Sequence, residues 1–318
     1  MGKLIENIYR GKVFARCDDK GTAYYFSAED FEGLQKNPYT FLSSKGAKLQ
    51  GYFYHYDNPV KDRLIVFDHG FGSGHRAYMK EIELLCRKGY LVFSYDHTGC
   101  MESEGDSSNG LGQSLSDLND CFNALKKEEK LKSYTFSVMG HSWGGFSTLN
   151  IAARHPEIKH IVVLSGFVSV DIMLSQFMPS ALAPFRKLLR KVEEKYNPES
   201  LRYDAVSTLR NTDAKVLLIY SDNDKAVNKK IHFDFLKEGL KDKENVKLIL
   251  LSGKGHNPNY TDDAVAYLGE YITTRAKKNK NKELDTDEKK KAFVASFDWD
   301  RMTAQDEKVW AEIYKTLE

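Results

Sequence analysis

Short apolar runs alternate with longer amphipathic stretches along the chain from about residue 40 onward. Most of these runs are nearly continuous in β-branched, leucine and aromatic residues, which is typical of parallel strands buried on both faces of a sheet. The run at 49–56 alternates apolar and polar positions more clearly, so we expect an antiparallel strand or one near an edge. The predicted strands are 49–56, 63–68, 90–95, 134–140, 159–164, 215–221 and 246–251.

Between these runs, apolar residues recur at intervals of three and four positions, which is the spacing of a helix with one buried face. The predicted helices are 78–88, 113–130, 145–155, 229–240 and 262–278. Strands and helices that take turns in this way predict an α/β fold with a doubly wound, mainly parallel sheet.

Two parts of the chain depart from this alternation of strands and helices. The interval 166–213 is too long for an ordinary strand connection and has helical spacing of its own, so it predicts an inserted helical cap. Residues 277–291 are rich in charge and predict a solvent-exposed linker or helix surface. The expected division is an N-terminal extension at 1–39, an α/β domain at 40–275 with a cap at about 166–213, and a charged linker with a C-terminal helix at 276–318.

A helix-start signal and a stripe of apolar residues predict the C-terminal helix. Thr303 and Asp306 offer a helix start, and the residues after them form an apolar stripe that should dock on the rest of the protein. The stripe consists of Val309, Trp310, Ile313, Tyr314 and Leu317.

Composition narrows the class of protein. Hydrophobic residues make up 41% and charged residues 29% of 318 residues, which is sufficient for a globular core. The formal charge of +2 argues against a general nucleic-acid binder. We expect no membrane span, because the apolar stretches are short and interrupted. Four cysteines without a C-x-x-C pair favour the cytoplasm, and Cys100 is expected to be an ordinary thiol.

The segment Gly140-His141-Ser142-Trp143-Gly144 fits the pattern G-x-S-x-G and lies between a predicted strand and a predicted helix. A serine on such a sharp turn needs small neighbours, which the two glycines provide. The helix that follows directs its N-terminal amides and its positive dipole end toward the serine. The amide of Trp143 is therefore a candidate donor to an oxyanion. A serine nucleophile also needs a histidine base and a carboxylate that holds the histidine.

With this motif, the chain resembles the α/β-hydrolase superfamily over about residues 40–275, especially its cytoplasmic esterase and serine-peptidase-like members. The family order is nucleophile, acid, histidine, with the last two placed after later strands. The resemblance implies Ser142 as nucleophile and His256, in the loop SGKGHNP, as base. It favours Asp224 as the acid, because a small residue and then Val follow it at the family spacing. Asp222 remains the alternative, with a loop-stabilising role otherwise.

The same resemblance assigns further residues around the site. The segment HGFGS after strand 63–68 is similar to the family's oxyanion loop, so the amide of Phe71 is the second expected donor. His97 precedes Ser142 and lies in the wrong loop for a base, so a structural role is expected for it. Phe177 and Met178 of the cap either line an apolar substrate pocket or pack against the core.

These residues together predict a serine hydrolase that cleaves a small or medium carboxylic ester through an acyl-enzyme on Ser142. The expected partner is a small-molecule acyl substrate, and neither a metal nor another cofactor is expected. A serine peptidase or a thioesterase would use the same residues, and a catalytically silent binding protein on this fold is a further alternative. Because the predicted catalytic residues end at His256, loss of the C-terminal helix is expected to leave the chemistry intact if the protein still folds.

Overall fold

One sheet carries the fold in a computed structural model that describes residues 2–57 and 62–318. Within these residues the sheet has eight strands in the order β1-β2-β4-β3-β5-β6-β7-β8. The strands β1 and β2 pair antiparallel, as do β2 and β4, and the remaining pairs are parallel. The strand bounds are β1 Gln35–Leu42, β2 Lys48–His55, β3 Arg63–Asp68, β4 Leu91–Tyr95, β5 Thr135–His141, β6 His160–Leu164, β7 Lys215–Ser221 and β8 Val246–Leu251.

All seven predicted strands are confirmed to within one residue at each end, and the alternating strand at 49–56 is the antiparallel β2. The edge strand β1 was not predicted, because its sequence QKNPYTFL is largely polar and exposed and contains Pro38. Proline is tolerated at a sheet edge, where its missing N–H leaves no ladder bond unmade. The sheet thus begins at Gln35, ahead of the predicted domain start at residue 40.

Helices lie between the strands and on both faces of the sheet. All five helices predicted between strands are present, with shifts at their ends, and the sequence patterns missed the first helix. Their bounds are α1 Gly2–Val13, α2 Met79–Arg87, α3 Gln113–Leu125, α4 Ser142–Asn150, α5 Val170–Phe177, α6 Ala183–Tyr196, α7 Ala205–Arg210, α8 Phe233–Gly239, α9 Asp262–Lys280, α10 Asp287–Ala295, α11 Trp299–Met302 and α12 Glu307–Leu317.

The interval 166–213 holds α5, α6 and α7 between β6 and β7, so it is helical as predicted. Within it, α5 packs against α6, and α6 packs against α1 from the N-terminal extension. The charged stretch 277–291 includes the end of α9 and the start of α10, with most of its side chains exposed. The division of the chain into extension, cap-bearing domain and tail remains a proposal.

The terminal helix α12 docks on the sheet, as its apolar stripe predicted. Asp306 caps the helix, since its side chain accepts hydrogen bonds from the amides of Lys308 and Val309. Trp310, Ile313 and Leu317 are buried in the same core cluster as strand residues of β3, β5 and β7. Removing a terminal segment of this kind therefore exposes one face of the sheet.

We expect Trp310→Ala to lower the free energy of unfolding by about 3–5 kcal/mol, the usual cost of truncating a buried aromatic side chain. The Trp310 side chain is 3% exposed, and its indole N–H donates to Oε1 of Gln305 over 2.9 Å. Chemical denaturation measures the change. Lys308→Ala on the exposed face of the same helix is the control, with an expected change within about 0.5 kcal/mol. Equal values for the two variants would show that α12 adds little stability.

Candidate active site

Ser142 lies on the sharp turn between β5 and α4. Its backbone φ is 56°, in the left-handed region that residues other than glycine seldom adopt. A Cβ atom at Gly140 would overlap the Thr148 hydroxyl, and one at Gly144 would overlap the carbonyl oxygen of Asp68. The glycines of the motif are therefore required by close packing, as the sequence pattern indicated.

A continuous hydrogen-bonded chain joins Ser142, His256 and Asp224. The distance from Ser142 Oγ to His256 Nε2 is 2.8 Å, and that from His256 Nδ1 to Asp224 Oδ2 is also 2.8 Å. A proton on Nδ1 donates to the carboxylate, which leaves Nε2 free to accept the serine proton. The three residues come from the ends of β5, β7 and β8, so the parallel sheet brings them to one edge.

The carboxylate of Asp224 is almost fully buried and is held as an anion. Burial raises its pKa, but the hydrogen bond from His256 and the amides of Val227 and Ala226 outweigh burial, so the pKa lies below its usual value. Asp222 instead accepts hydrogen bonds from Ser252 Oγ at 2.8 Å and from the Gly253 amide at 2.9 Å. Asp222 thus ties the acid loop to the histidine loop.

Phe71 and Trp143, whose amides are the expected oxyanion donors, belong to segments next to Ser142. A Cβ atom on Gly70 would lie 3.4 Å from Ser142 Cβ, so the loop that carries Phe71 runs close to the serine. The ring of Phe71 packs edge-on against Trp143, with centroids 5.0 Å apart. The Trp143 amide is in the first turn of α4, where backbone N–H groups have no partner within the helix.

Tyr78 and His141, which the sequence analysis missed, connect the loops of the site. The Gly70 amide donates to Tyr78 Oη over 3.0 Å, and the tyrosine hydroxyl contacts His141 Nδ1 at 2.8 Å. His141 Nε2 lies 2.8 Å from the carbonyl oxygen of His256. Burial lowers the pKa of His141 to about 3, so the ring is neutral, accepts at Nδ1 and donates at Nε2. The pattern G-x-S-x-G assigns no role to position 141.

The C-terminal segment holds the loop that carries His256. Lys254 Nζ contacts Asp306 Oδ2 at 2.9 Å and Asp262 Oδ1 at 2.7 Å, with its own side chain almost fully buried. The Asp306 amide donates to the carbonyl of Asn259 over 2.8 Å. Burial lowers the pKa of Lys254, but the two carboxylates raise it above its usual value, so the ion pairs persist. Loss of the tail would therefore loosen the histidine loop, in contrast to the expectation that the chemistry stays intact without the C-terminal helix.

A second link from the tail to this loop passes through the buried Glu81. Its Oε1 accepts from Asn259 Nδ2 over 2.8 Å and from Gln305 Nε2 over 3.1 Å. Burial raises the pKa of Glu81 from 4.5 to about 7, although both amides and the charge of Lys80 lower it. Between these pH values the folded protein holds a proton that the unfolded chain releases, so the contribution of Glu81 to stability is largest below pH 4.5 and is lost as the pH rises through 7.

We expect Glu81→Gln to remove most of this decline, because the amide keeps an oxygen for both donors and does not ionise. The difference between variant and parent in unfolding free energy should change by on the order of 3 kcal/mol between pH 4.5 and 8. Urea titrations across this range measure it. The exposed Glu32→Gln is the control, with the same pH dependence as the parent. Parallel curves for all three proteins would contradict the prediction.

His97 lies in a buried ion cluster rather than in the chain with Ser142. Its Nε2 is 3.0 Å from Asp68 Oδ1, and its Nδ1 is 3.4 Å from Asp117 Oδ2. Burial lowers the pKa of His97, but the two carboxylates raise it to about 10, so the ring is charged. An imidazolium in this setting cannot accept the proton of a nucleophile, which agrees with the structural role expected for His97.

Phe177 and Met178 face the N-terminal helix. They line an apolar pocket of about 310 Å³ whose other wall is α1, and Ser142, His256 and Asp224 are not among its lining residues in the described part of the chain. The pocket is lined by Ile5, Ile8, Tyr9, Lys12, Val13, Phe177 and Met178.

The cap helix α5 is fixed to the acid loop through Gln176, next to Phe177. Its Oε1 accepts from the Asn228 amide and from His232 Nε2, both over 3.0 Å. Its Nε2 donates to the Ala226 carbonyl over 2.9 Å. One side chain therefore connects the helix that ends at Phe177 to the loop that carries Asp224.

Within residues 2–57 and 62–318, no helix combines the length and the apolar character needed to cross a membrane.

Comparison with known proteins gives both a fold and a family. An esterase of Pyrococcus furiosus superimposes with a TM-score of 0.60 over 83% of this chain and 98% of its own, at 19% identity. At this identity the likeness shows a shared fold. The chain is 31% identical over 126 residues to cis-3-alkyl-4-alkyloxetan-2-one decarboxylase of Shewanella oneidensis, covering 39% of this chain and 37% of that protein. It is 29% identical over 114 residues to monoglyceride lipase of Saccharomyces cerevisiae, covering 35% of each.

The chain thus spans little more than a third of the length of these two relatives. The pattern that defines the family described as serine aminopeptidase, S33, matches residues 59–248. This match extends over more than half of the sequence and, with the eight-stranded sheet, confirms the resemblance to α/β hydrolases. The chain belongs to the S33 serine aminopeptidase family of the α/β-hydrolase superfamily.

Proposed function

We propose that this hydrolase cleaves a small or medium carboxylic ester through an acyl-enzyme on Ser142. The observation that carries the proposal is the unbroken chain of hydrogen bonds from Ser142 through His256 to Asp224, with the serine on a strained turn. A serine hydroxyl is a poor nucleophile without an adjacent base, and here the base lies at hydrogen-bonding distance.

In the first half-reaction, Ser142 Oγ attacks the ester carbonyl as its proton moves to His256 Nε2. The carbonyl oxygen becomes negative, and the amides of Phe71 and Trp143 are the proposed donors to it; loss of one such donor typically costs about 2.7–4 kcal/mol of transition-state stabilisation. The carboxylate of Asp224 stabilises the imidazolium. His256 then returns the proton to the alcohol as it leaves, and Ser142 keeps the acyl group.

In the second half-reaction, His256 takes a proton from water as the water oxygen attacks the acyl-enzyme. The bond between the acyl carbon and Ser142 Oγ then breaks, His256 returns the proton to Oγ, and the carboxylic acid is released. Every bond change and proton transfer in these steps takes place between Ser142, His256, water and the substrate. The proposed chemistry therefore requires no cofactor.

A peptidase or a thioesterase is the second candidate, because acyl transfer to water uses the same groups for all three leaving groups. The family description names a serine aminopeptidase, whereas one relative is named a lipase and one structural neighbour an esterase. A silent binding protein is disfavoured by the intact hydrogen-bonded chain.

Labelling with a fluorophosphonate probe tests whether Ser142 is activated. One adduct per chain on Ser142 is expected, and a folded protein that stays unlabelled would favour the binding alternative. A matched panel of esters, thioesters and aminoacyl amides with the same acyl group then measures kcat/KM for each leaving group. Faster turnover of the amides than of the esters would replace the esterase proposal by the peptidase one.

Phe177 and Met178 are proposed to contact the acyl chain of the substrate through the apolar pocket that they share with α1. We expect Phe177→Ala to change the ratio of kcat/KM between long and short acyl esters, because it removes apolar contact area from the wall of the pocket. Its rate of labelling by a small fluorophosphonate should stay near that of the parent. Equal losses on every ester would indicate that Phe177 serves packing instead.

A further inference from the structure

Two cysteines from distant parts of the chain lie directly opposite each other. Cys17 and Cys100 are partners in an isolated parallel β-bridge. The Cys17 amide donates to the carbonyl of Gly99 and the Met101 amide donates to the carbonyl of Cys17, both over 2.9 Å. Directly opposed residues of paired strands direct their side chains to the same face. Backbones paired in this way are about 4.8 Å apart, within the separation that a disulfide spans.

The two thiols are free and buried, and their pKa values differ. A hydrogen bond from Cys100 is the main cause that lowers the pKa of Cys17 to about 7; burial opposes it, and the Gly72 amide and the charges of His97 and Lys20 assist it. The hydrogen bond with Cys17 and burial raise the pKa of Cys100. Cys17 is therefore the more acidic thiol of the pair, and Cys100 is the thiol positioned to react with it second.

The sequence alone gave no reason to expect this pair. Cys100 was expected to be an ordinary thiol, because no partner is visible near it along the chain. Its partner belongs to the segment after α1, which the bridge joins to the loop that follows β4. The imidazolium of His97, held by two buried carboxylates, adds positive charge that helps to lower the pKa of Cys17.

We propose that Cys17 and Cys100 form a disulfide when the protein is exposed to a peroxide. The Cys17 thiolate attacks a peroxide oxygen, so an S–O bond forms, the O–O bond breaks, and the hydroxide that leaves takes a proton to become water. Cys100, losing its proton, then attacks the sulfenic sulfur of Cys17. The S–S bond forms and the S–O bond breaks as a second water leaves. Two thiols lose two electrons, and one peroxide becomes two waters.

The disulfide would act on the oxyanion loop. The amide of Gly72, the residue after Phe71, is one of the groups that lower the pKa of Cys17, so the Cys17 sulfur lies close to this loop. Oxidation replaces a thiolate by a neutral disulfide sulfur, which is a weaker acceptor. We expect this weaker interaction with the Gly72 amide to shift the neighbouring amide of Phe71. This effect on turnover rests on the proposed function, whereas the disulfide itself does not.

Peroxide treatment of the full chain, followed by alkylation, mass spectrometry and peptide mapping, tests the disulfide. The expected product has lost two hydrogens, contains a Cys17–Cys100 cross-linked peptide, and reverts with dithiothreitol. Cys17→Ala and Cys100→Ala should each abolish the cross-link, while Cys86→Ala, at another buried cysteine, should retain it. Oxygen added to Cys17 without a cross-link, or oxidation confined to the other cysteines, would overturn the proposal.

Hydrolysis of an ester by oxidised and reduced protein tests the effect on the oxyanion loop. We expect oxidation to lower kcat about tenfold or more, less than complete loss of a donor, and dithiothreitol to restore it. Cys100→Ala should be insensitive to the same treatment. A cross-linked protein with unchanged kcat would overturn the link to the loop. If no ester is hydrolysed by reduced protein, the proposed function fails, while the cross-link is still decided by mass.

Discussion

Replacing Ser142 by alanine is expected to lower kcat for ester hydrolysis by about 10⁴-fold or more. The variant keeps His256 and Asp224 but has no oxygen that could form the acyl-enzyme. Alanine also lacks a group to accept the fluorophosphonate, so labelling should disappear with turnover. Steady-state rates and the stoichiometry of labelling measure both effects on one sample.

The control for this variant is Ser296→Ala, a serine whose hydroxyl bonds only within its own turn, to the Phe293 carbonyl over 2.7 Å. It should retain parental kcat and labelling. Alanine keeps the Cβ atom, so the left-handed strain at position 142 is the same as in the parent, and Ser142→Ala should unfold at about the same denaturant concentration. A burst of product from folded Ser142→Ala would remove the serine from the mechanism.

The second large effect is expected from Asp224→Asn, which should lower kcat by about 10⁴-fold. An asparagine amide that donates to the ring favours the wrong histidine tautomer, with the proton on Nε2, where it can no longer accept from Ser142. The amide also cannot stabilise the imidazolium. Asp224 is the carboxylate within 2.8 Å of His256 Nδ1, so the effect should fall on kcat more than on KM.

Asp222→Asn provides the matched control, because Asp222 lies two residues away in the same loop and bonds Ser252 and Gly253. Its exposed side chain bonds the histidine loop at residues away from the His256 ring, so we expect kcat/KM to fall by less than about tenfold. Comparison of kcat/KM for the two variants on one ester ranks the two carboxylates. A larger loss in Asp222→Asn would transfer the acid role to that residue.

The strands could be predicted because buried parallel strands are apolar along their whole length, as in VLLIYS of β7. The edge strand β1 gave no such pattern, since one of its faces and its outer edge meet solvent. The helix α1 carries apolar residues at helical spacing, but that spacing by itself did not distinguish it within an aromatic-rich extension. Its burial of Tyr9 and Val13 depends on the cap.

The residues of the candidate site also differ in whether the local sequence reveals them. Ser142, Asp224 and His256 each occupy a recognisable position just after a strand, so local sequence is enough to propose them. Tyr78 belongs to no motif, and Asp306 was recognised only as a helix start; both reach the site only because the packing of α2 and α12 brings them there. Such residues act through contacts between distant segments, and a single sequence does not encode those contacts in a readable pattern.

The attachment of the C-terminal segment to the histidine loop has a consequence for biosynthesis. A ribosome releases the chain from its N-terminus, so Ser142, Asp224 and His256 all emerge before Gln305 and Asp306. Until then, Lys254 and Glu81 lack their partners from the tail, and the nascent chain holds a complete set of reacting groups around an unsecured base. We therefore expect the onset of catalytic competence on the ribosome to coincide with emergence of residues 303–317, well after the sheet itself has been synthesised.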